Sequence, residues 1–229
     1  MPDIDFGDIF LVYSLQMAES KLLSFISEKE MTVSVLSKSF QLTMPEWFGD
    51  YAARLPETVK PLEERMKIII ELSRLNMERD TGGPFAAGVF DSDSGKIISL
   101  GVNRVMHHNC SCAHAEIMAI SLAQKNLGVY DLGGRSVAAH DLFVNWLPCA
   151  MCYGAMLWSG VKRLVIAGSG RELEEITGFD EGPRPVNWEN ELTGRGIAVV
   201  TDLMRNEAIQ VFREFKARNR FVYNARQNQ

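Results

Sequence analysis

The chain has 229 residues, 46% of them hydrophobic, and a formal net charge of −5. This length and composition suit one α/β domain with an extra segment, or at most two small domains. The acidic balance argues against a broad nucleic-acid-binding face, which needs clustered lysine and arginine. No apolar run approaches the roughly 20 residues that cross a membrane, and the acidic N-terminus is unlike a secretory signal. A soluble, cytoplasmic protein is therefore expected, with no membrane partner.

Residues 1–60 differ from the rest of the chain. An apolar run at 9–13 is followed by leucine and isoleucine at helical spacing up to residue 26, which predicts one helix. The stretch "TMPEWFGDYAARLPETVKP" carries three prolines and is typical of a connection. We therefore predict an N-terminal extension of unknown role over 1–60 and one domain over 61–229.

From residue 62 onward, helices alternate with strands. "LEERMKIIIELSRLNMERD" is an amphipathic helix between a proline and "TGGP", and "FAAGVF" and "KIISLGVNRV" are strands joined by the turn "DSDSG". The remaining predicted elements are a helix over 113–127, the strand "VAAHDLFVNW", a helix over 149–159, the strand "RLVIAG", a loop-rich stretch over 171–195, the strand "IAVVT" and the helix "NEAIQVFREFKARN". This alternation predicts an α/β domain with helices covering a central sheet.

The four cysteines form two tight groups: Cys110 with Cys112, and Cys149 with Cys152. Clustered cysteines in a cytosolic chain indicate metal or redox chemistry more often than disulfides. Pro148 predicts a helix start, which places Cys149 and Cys152 on one face of the first turn, where the helix dipole favours thiolate. The pair alone leaves metal, redox and structural roles open.

His114 and Glu116 lie at the start of an apolar helix. A lone histidine there is typical of a core residue, but a buried glutamate is costly unless something compensates it. H-x-E followed by P-C-x-x-C is the signature of zinc-dependent base deaminases. We therefore predict a Zn²⁺ site with His114, Cys149 and Cys152 as ligands, a fourth position open to water, and Glu116 as the catalytic proton carrier. A structural zinc site closed by Cys112 is the alternative.

The stretches "GGPFAAGVF", "GVNRV", "AHAE" and "PCAMCYGAMLWSGVKRLV" resemble the cytidine deaminase-like superfamily in order over 62–170. "TGFDEGPRPVNW" and the terminal "YNAR" are most similar to the bacterial guanine deaminase and nucleobase deaminase branch. The resemblance implies a three-layer α/β/α sandwich with a mixed five-stranded central sheet. It also implies a homodimer, in which the C-terminal tail can cross to the partner's active site.

The resemblance further implies five substrate contacts. Asn103 would bind the polar edge of a ring, the backbone N–H of Ala115 a carbonyl, and Phe85 the face of the base. Asp180 would accept an N–H or amino group, and Tyr223 would close the site. Four of them have a plainer alternative: core packing for Phe85 and Tyr223, a strand end for Asn103, and a turn for Asp180.

The function that these features favour is hydrolytic deamination of a free aminated heterocycle, such as a guanine-like purine, a triazine or a specialised-pathway analogue. Leu147 stands where guanine deaminases usually carry a glutamate, so the exact substrate stays open. One alternative is a nucleoside, nucleotide or tRNA adenosine deaminase. Another is a catalytically inactive, zinc-stabilised binding protein.

Overall fold

The computed structural model describes residues 37–226. Of these, the residues from Leu42 onward cluster as one compact unit. The apolar run at 9–13 and the helix predicted after it lie outside the described residues. Among the residues that are described, no helix is long and apolar enough to cross a membrane.

A mixed five-stranded sheet forms the centre of this unit. Its strands are β1 (Ala86–Asp91), β2 (Ile97–Val102), β3 (His140–Val144), β4 (Arg163–Ile166) and β5 (Ala198–Val200). They lie in the order β2-β1-β3-β4-β5. The pairs of β1 with β2 and with β3 are antiparallel, whereas β3, β4 and β5 run parallel. Every residue of β3 is buried, as expected for a central strand with helices on both faces. The predicted fold class is confirmed.

Eight helices are described in the same unit. They are α1 (Phe48–Ala52), α2 (Leu62–Glu78), α3 (Val105–His108), α4 (Ala115–Leu127), α5 (Ala150–Ser159), α6 (Glu172–Thr177), α7 (Trp188–Thr193) and α8 (Arg205–Ala217). Helices α4 and α5 end at Gly128 and Gly160, whose φ angles of 68° and 84° suit glycine. The stretch 171–195, predicted as loop, contains α6 and α7; each is too short to show a clear hydrophobic period.

A buried ion pair fixes α2 against the sheet. The guanidinium of Arg65 lies 3.1 Å from the carboxylate of Asp141 on β3, and their side chains are 2% and 1% exposed. Arg163 on β4 also contacts this carboxylate. The Nε of Arg65 donates to the carbonyl of Val59 at 2.6 Å, and the hydroxyl of Ser92 donates to Asp141 at 2.7 Å. These partners satisfy charges that would otherwise be costly to bury.

The segment before α2 packs along the edge of the sheet. The N–H of Ile97 donates to the carbonyl of Glu57 at 3.0 Å, and that of Val59 donates to Gly95 at 2.8 Å. The indole of Trp47 donates to the hydroxyl of Thr81 at 3.1 Å. The compact unit thus includes residues 42–60, and a separate extension stays a prediction for the residues before Leu42.

Candidate active site

Two helix N-termini build the centre of the site. His114 is the N-cap of α4 and Cys149 is the N-cap of α5, and both have extended backbone angles. The first turn of a helix carries free N–H groups and the positive end of the helix dipole. The sequence therefore directs two electron-rich side chains to two positively polarised helix ends.

The side chains of His114, Cys149 and Cys152 lie close enough to share one metal ion. Their candidate ligand atoms are all within 4.8 Å of one another, and Nδ1 of His114 is 3.5 Å from Sγ of Cys149. Tetrahedral Zn²⁺, with bonds of about 2.0 Å to nitrogen and 2.3 Å to sulfur, separates neighbouring ligand atoms by about 3.5–3.8 Å. The donor set and its spacing fit zinc.

Cys112 does not complete this set. Among the described residues the cluster contains only three ligands, and the Sγ of Cys112 lies 3.3 Å from that of Cys110 instead. The site therefore provides three protein ligands, the number typical of a catalytic zinc site with an open position.

The electrostatics of the ligands favour a cation. The hydrogen bond from Cys152, helped by His114, lowers the pKa of Cys149 to about 4 despite burial. Burial lowers the pKa of His114, but the hydrogen bond with Cys149 and the charge of Glu116 outweigh it and raise that pKa to about 8. The Cys152 thiol donates a hydrogen bond to Cys149. This bond, together with burial, raises the pKa of the Cys152 thiol well above its usual value. A divalent cation can take the place of the protons that now stabilise these groups.

Glu116 lies in the first turn of α4, next to the ligands but outside their set. Its side chain is buried and lines the cavity of the site. Burial raises the pKa of its carboxyl, and the negative charge of Cys149 raises it further. A carboxyl with a raised pKa in a dry site is suited to taking up and returning a proton.

The cavity has a volume of about 310 Å³. Of the residues predicted for the site, Phe85, Asn103, His114, Glu116, Cys149, Asp180 and Tyr223 line it. Ala115 and Cys152 lie behind this surface and are fully buried. The structure therefore brings together chain segments from residue 83 to residue 225.

Asn103 is held at the cavity wall by the backbone around it. Its Oδ1 lies 3.4 Å from the backbone nitrogens of Gly83 and Val105, and its carbonyl accepts from the Asn76 amide at 2.9 Å. A Cβ on Gly82 would lie 1.9 Å from that carbonyl, so only glycine permits this close approach. Because Oδ1 faces the backbone, the amide NH₂ of Asn103 is available to a ligand.

Aromatic rings form the apolar side of the cavity. Phe85 contacts Phe179 edge to face at 5.0 Å between ring centroids and Phe212 at 6.0 Å. Trp146 contacts Phe212 edge to face at 5.3 Å. Leu147 is buried and belongs to the same wall. Such a wall suits a flat heteroaromatic ring.

A second carboxylate, Glu181, faces the cavity and was missed by the sequence analysis. Its side chain is only 11% exposed, and its carbonyl accepts the N–H of Ala150, the first residue of α5, at 2.9 Å. Burial, with the charges of Cys149 and Glu116, raises the pKa of Glu181 to about 8. The motif "GFDEG" contains it, but adjacent acidic residues do not indicate which one turns inward.

Asp180, the neighbour that was predicted as a substrate contact, is exposed. Its Oδ1 accepts the N–H of Gly182 at 2.9 Å, which shapes the turn that carries Glu181. Asp180 still lines the cavity, but its carboxylate has a structural partner. Its role in binding substrate stays a prediction.

The C-terminal tail closes the remaining side. Phe221, Tyr223, Asn224 and Ala225 line the cavity of their own chain. Tyr223, the tail residue predicted for the site, lies beside the pocket, and its contact with substrate stays a prediction.

A mixed five-stranded sheet with this ligand set at two helix N-termini defines a zinc-dependent hydrolytic deaminase. The chain belongs to the family described as "Cytidine and deoxycytidylate deaminase zinc-binding region", whose model matches residues 59–168. The resemblance to guanine deaminases is also confirmed by the proteins that follow.

Two curated relatives match the central part of the chain. A tRNA-specific adenosine deaminase of Buchnera aphidicola (subsp. Schizaphis graminum) is 33% identical over 126 residues, covering 55% of this chain and 76% of the relative. The guanine deaminase of Bacillus subtilis is 34% identical over 119 residues, covering 52% and 71%.

Solved structures match more of the chain. The guanine deaminase from Nitrosomonas europaea is 44% identical, with a TM-score of 0.74, covering 80% of this chain and 98% of that one. The protein NE0047 in complex with 2,6-diaminopurine is 45% identical, with a TM-score of 0.76, covering 84% and 100%.

Proposed function

We propose that this protein hydrolytically deaminates a free aminated purine or a closely related heterocycle and releases ammonia. The observation that carries the proposal is the cavity itself, where the zinc ligands and two carboxylates, Glu116 and Glu181, face an aromatic wall. NE0047, at 45% identity, was solved with 2,6-diaminopurine, and a mutant of it, at 44% identity, with 8-azaguanine; both ligands are free bases.

The composition of the cavity wall supports a free base over a nucleotide. Among the described residues that line it, none is lysine or arginine, and two are glutamates. A phosphate would need a cationic or amide-rich partner there. For the same reason we place the nucleotide and tRNA alternatives second.

Each residue has a defined part in the proposed reaction. His114, Cys149 and Cys152 hold zinc, which when bound lowers the pKa of a water molecule and so makes it nucleophilic at neutral pH. Glu116 takes a proton from the water and gives it to a ring nitrogen, and later moves the proton of the added hydroxyl to the departing amine. Water adds to the amidine carbon, ammonia leaves, and a ring carbonyl is formed.

The remaining residues position the ring. The NH₂ of Asn103 donates to an acceptor on the polar edge of the base, and Phe85 packs on its face. The N–H of Ala115, in the first turn of α4, is proposed to bind a ring carbonyl. Asp180 and Tyr223 complete the proposed set, at the loop of Glu181 and in the tail.

Leu147 stands where guanine deaminases usually carry a glutamate, and Glu181 provides a carboxylate that could take its place. Leucine at 147 offers no proton and no charge, but Glu181 supplies a second carboxylate from another segment. A carboxyl donates to a ring acceptor when protonated and accepts from an amino group when ionised, and burial raises the pKa of Glu181 and so favours the protonated form. A guanine-like base, which presents both kinds of group, is therefore our preferred substrate class.

Three further predictions belong to this proposal. We expect a homodimer, for which the 88% exposed Trp158 of α5 supplies apolar surface. We expect a cytoplasmic protein. The N-terminal extension of unknown role over 1–60 also stays a prediction.

Ammonia release from guanine, adenine, cytosine, their nucleosides and triazines tests the proposal. Turnover of a free purine that is lost in Glu116→Gln supports it. Turnover of nucleosides alone supports the second class. If zinc is bound and none of these compounds is turned over, the protein is a zinc-stabilised binding protein instead.

A further inference from the structure

Cys110 and Cys112 are a pair of thiols that the proposed reaction does not use. Their Sγ atoms are 3.3 Å apart, and both residues are partly exposed. Neither belongs to the cluster of His114, Cys149 and Cys152. The pair therefore combines close approach with access from solvent, and both favour formation of an intramolecular disulfide by thiol–disulfide exchange.

The backbone between α3 and α4 is shaped to keep these thiols together. Asn109 has a φ of 47°, and this left-handed residue turns the chain after α3. The N–H of Cys110 then donates to Val105 at 3.1 Å, and the N–H of Ala113 donates back to the carbonyl of Cys110 at 3.0 Å. The short contact between the sulfurs is thus part of a hydrogen-bonded loop.

We propose that Cys110 and Cys112 form a redox-active dithiol, which low-molecular-weight disulfides such as glutathione disulfide convert reversibly into an intramolecular disulfide. One thiolate attacks a sulfur of glutathione disulfide, forming a mixed disulfide and releasing one glutathione. The second thiolate displaces the other glutathione. Two thiols lose two protons and two electrons in all, and the oxidant is reduced to two thiols.

The ring that a disulfide between Cys110 and Cys112 would close includes a residue that lines the active-site cavity. Ser111, between the two cysteines, lines that cavity, and the carbonyl of Cys112 accepts the N–H of His114 at 2.8 Å. Bond formation draws the sulfurs from 3.3 Å to about 2.05 Å. The loop at Ser111 must move with them, so oxidation is expected to change how substrate enters or fits.

The site is tested by exposing the zinc-loaded, full-length protein to glutathione disulfide and measuring intact and peptide masses. The expected result is a loss of about 2 Da in the peptide that holds both cysteines, reversed by dithiothreitol. Cys110→Ser and Cys112→Ser should each instead gain one glutathione, and the double variant should gain nothing there. A stable glutathione adduct on the wild-type pair, an unmodified pair, or a disulfide linking two chains would overturn the proposal.

Kinetic measurements test whether oxidation of the two cysteines affects the cavity, and this experiment rests on the proposed deaminase function. Oxidation of the wild type should change KM by about two- to tenfold, with zinc content unchanged, whereas KM of the double serine variant should not respond to the oxidant. An equal KM in both redox states would overturn the coupling. If no base is turned over, the proposed function fails, while the mass measurement still decides the dithiol.

Discussion

Asn224 in the C-terminal tail forms two hydrogen bonds with the backbone just before Glu181, at Gly178 and at Asp180. Its Oδ1 accepts the N–H of Asp180 at 2.8 Å, and its Nδ2 donates to the carbonyl of Gly178 at 2.8 Å. Because Tyr223 precedes it and Glu181 follows Asp180, this one side chain fixes two walls of the cavity relative to each other.

Replacing Asn224 with alanine should therefore weaken substrate binding without disturbing the metal. Loss of two partly exposed hydrogen bonds is expected to raise KM by about five- to tenfold. Asn224→Asp keeps the acceptor for Asp180 and loses only the donor to Gly178, so it should lie between alanine and wild type. The measurement is KM from ammonia release, and an unchanged KM in Asn224→Ala would contradict the role of this contact.

Removal of one ligand should release the zinc. Cys152→Ala leaves two ligands, and we expect at least about tenfold weaker zinc binding and a lower Tm. Cys110→Ala is the matched control, since Cys110 lies outside the ligand cluster. The measurement is the ratio of zinc to protein in the two variants after dialysis against a chelator. Equal zinc retention by both variants would show that the ligands have been misassigned.

Glu116→Gln should separate catalysis from metal binding. The amide is similar in size but does not carry a proton between water and ring, so kcat should fall by about 10²–10⁴-fold. Zinc content should match the wild type because Glu116 is outside the ligand set. A variant that keeps wild-type kcat would exclude Glu116 as the proton carrier.

Glu181 should make the zinc-free protein less stable as pH rises. Its folded-state pKa of about 8 exceeds its ordinary value of 4.5, so between these values the folded state holds a proton that the unfolded state has lost. The contribution of this carboxyl to the free energy of unfolding is fully present below pH 4.5 and is lost as pH rises towards 8. The free energy of unfolding decreases by at most about 1.4 kcal/mol per pH unit because of this group.

Urea unfolding of the metal-free protein from about pH 5 to 8, the window given by the raised pKa, is compared between variants. Glu116, His114 and Cys149 also contribute to the slope of the wild type. The difference between the wild type and Glu181→Gln therefore measures the part due to Glu181. Glu181→Gln should flatten the slope, whereas Asp180→Asn, the exposed neighbour, should leave it as in the wild type. Identical slopes in wild type and Glu181→Gln would show that the carboxyl is not buried in the folded state.

The ion pair under α2 predicts a large effect on stability. Asp141→Ala leaves Arg65 buried without its carboxylate partner, which should lower the free energy of unfolding by about 3–5 kcal/mol. Asp93→Ala, at the exposed β1–β2 turn, should change it by less than about 0.5 kcal/mol. Denaturant unfolding compares the two, and similar values for both would refute the importance of the pair.

Sequence by itself determined the zinc centre and the order of the elements. His114 and Glu116 lie in the same turn, as do Cys149 and Cys152, and Pro148 marks the helix start. Cys149 and Cys152 are three residues apart and share one helix face, so local geometry already aligns these two ligands. The alternation of strands and helices, which can be read from short-range hydrophobic periods, likewise predicted the α/β fold class.

Only the tertiary structure decided the rest of the cavity. Nothing local distinguishes Glu181, whose side chain is largely buried in the cavity, from Asp180, which lines the cavity but is exposed. The distinction arises because the turn packs on Ala150 at the start of α5. Packing likewise brought the C-terminal tail to the pocket. Contacts between residues far apart in sequence depend on how whole elements pack, and no spacing along the chain encodes them.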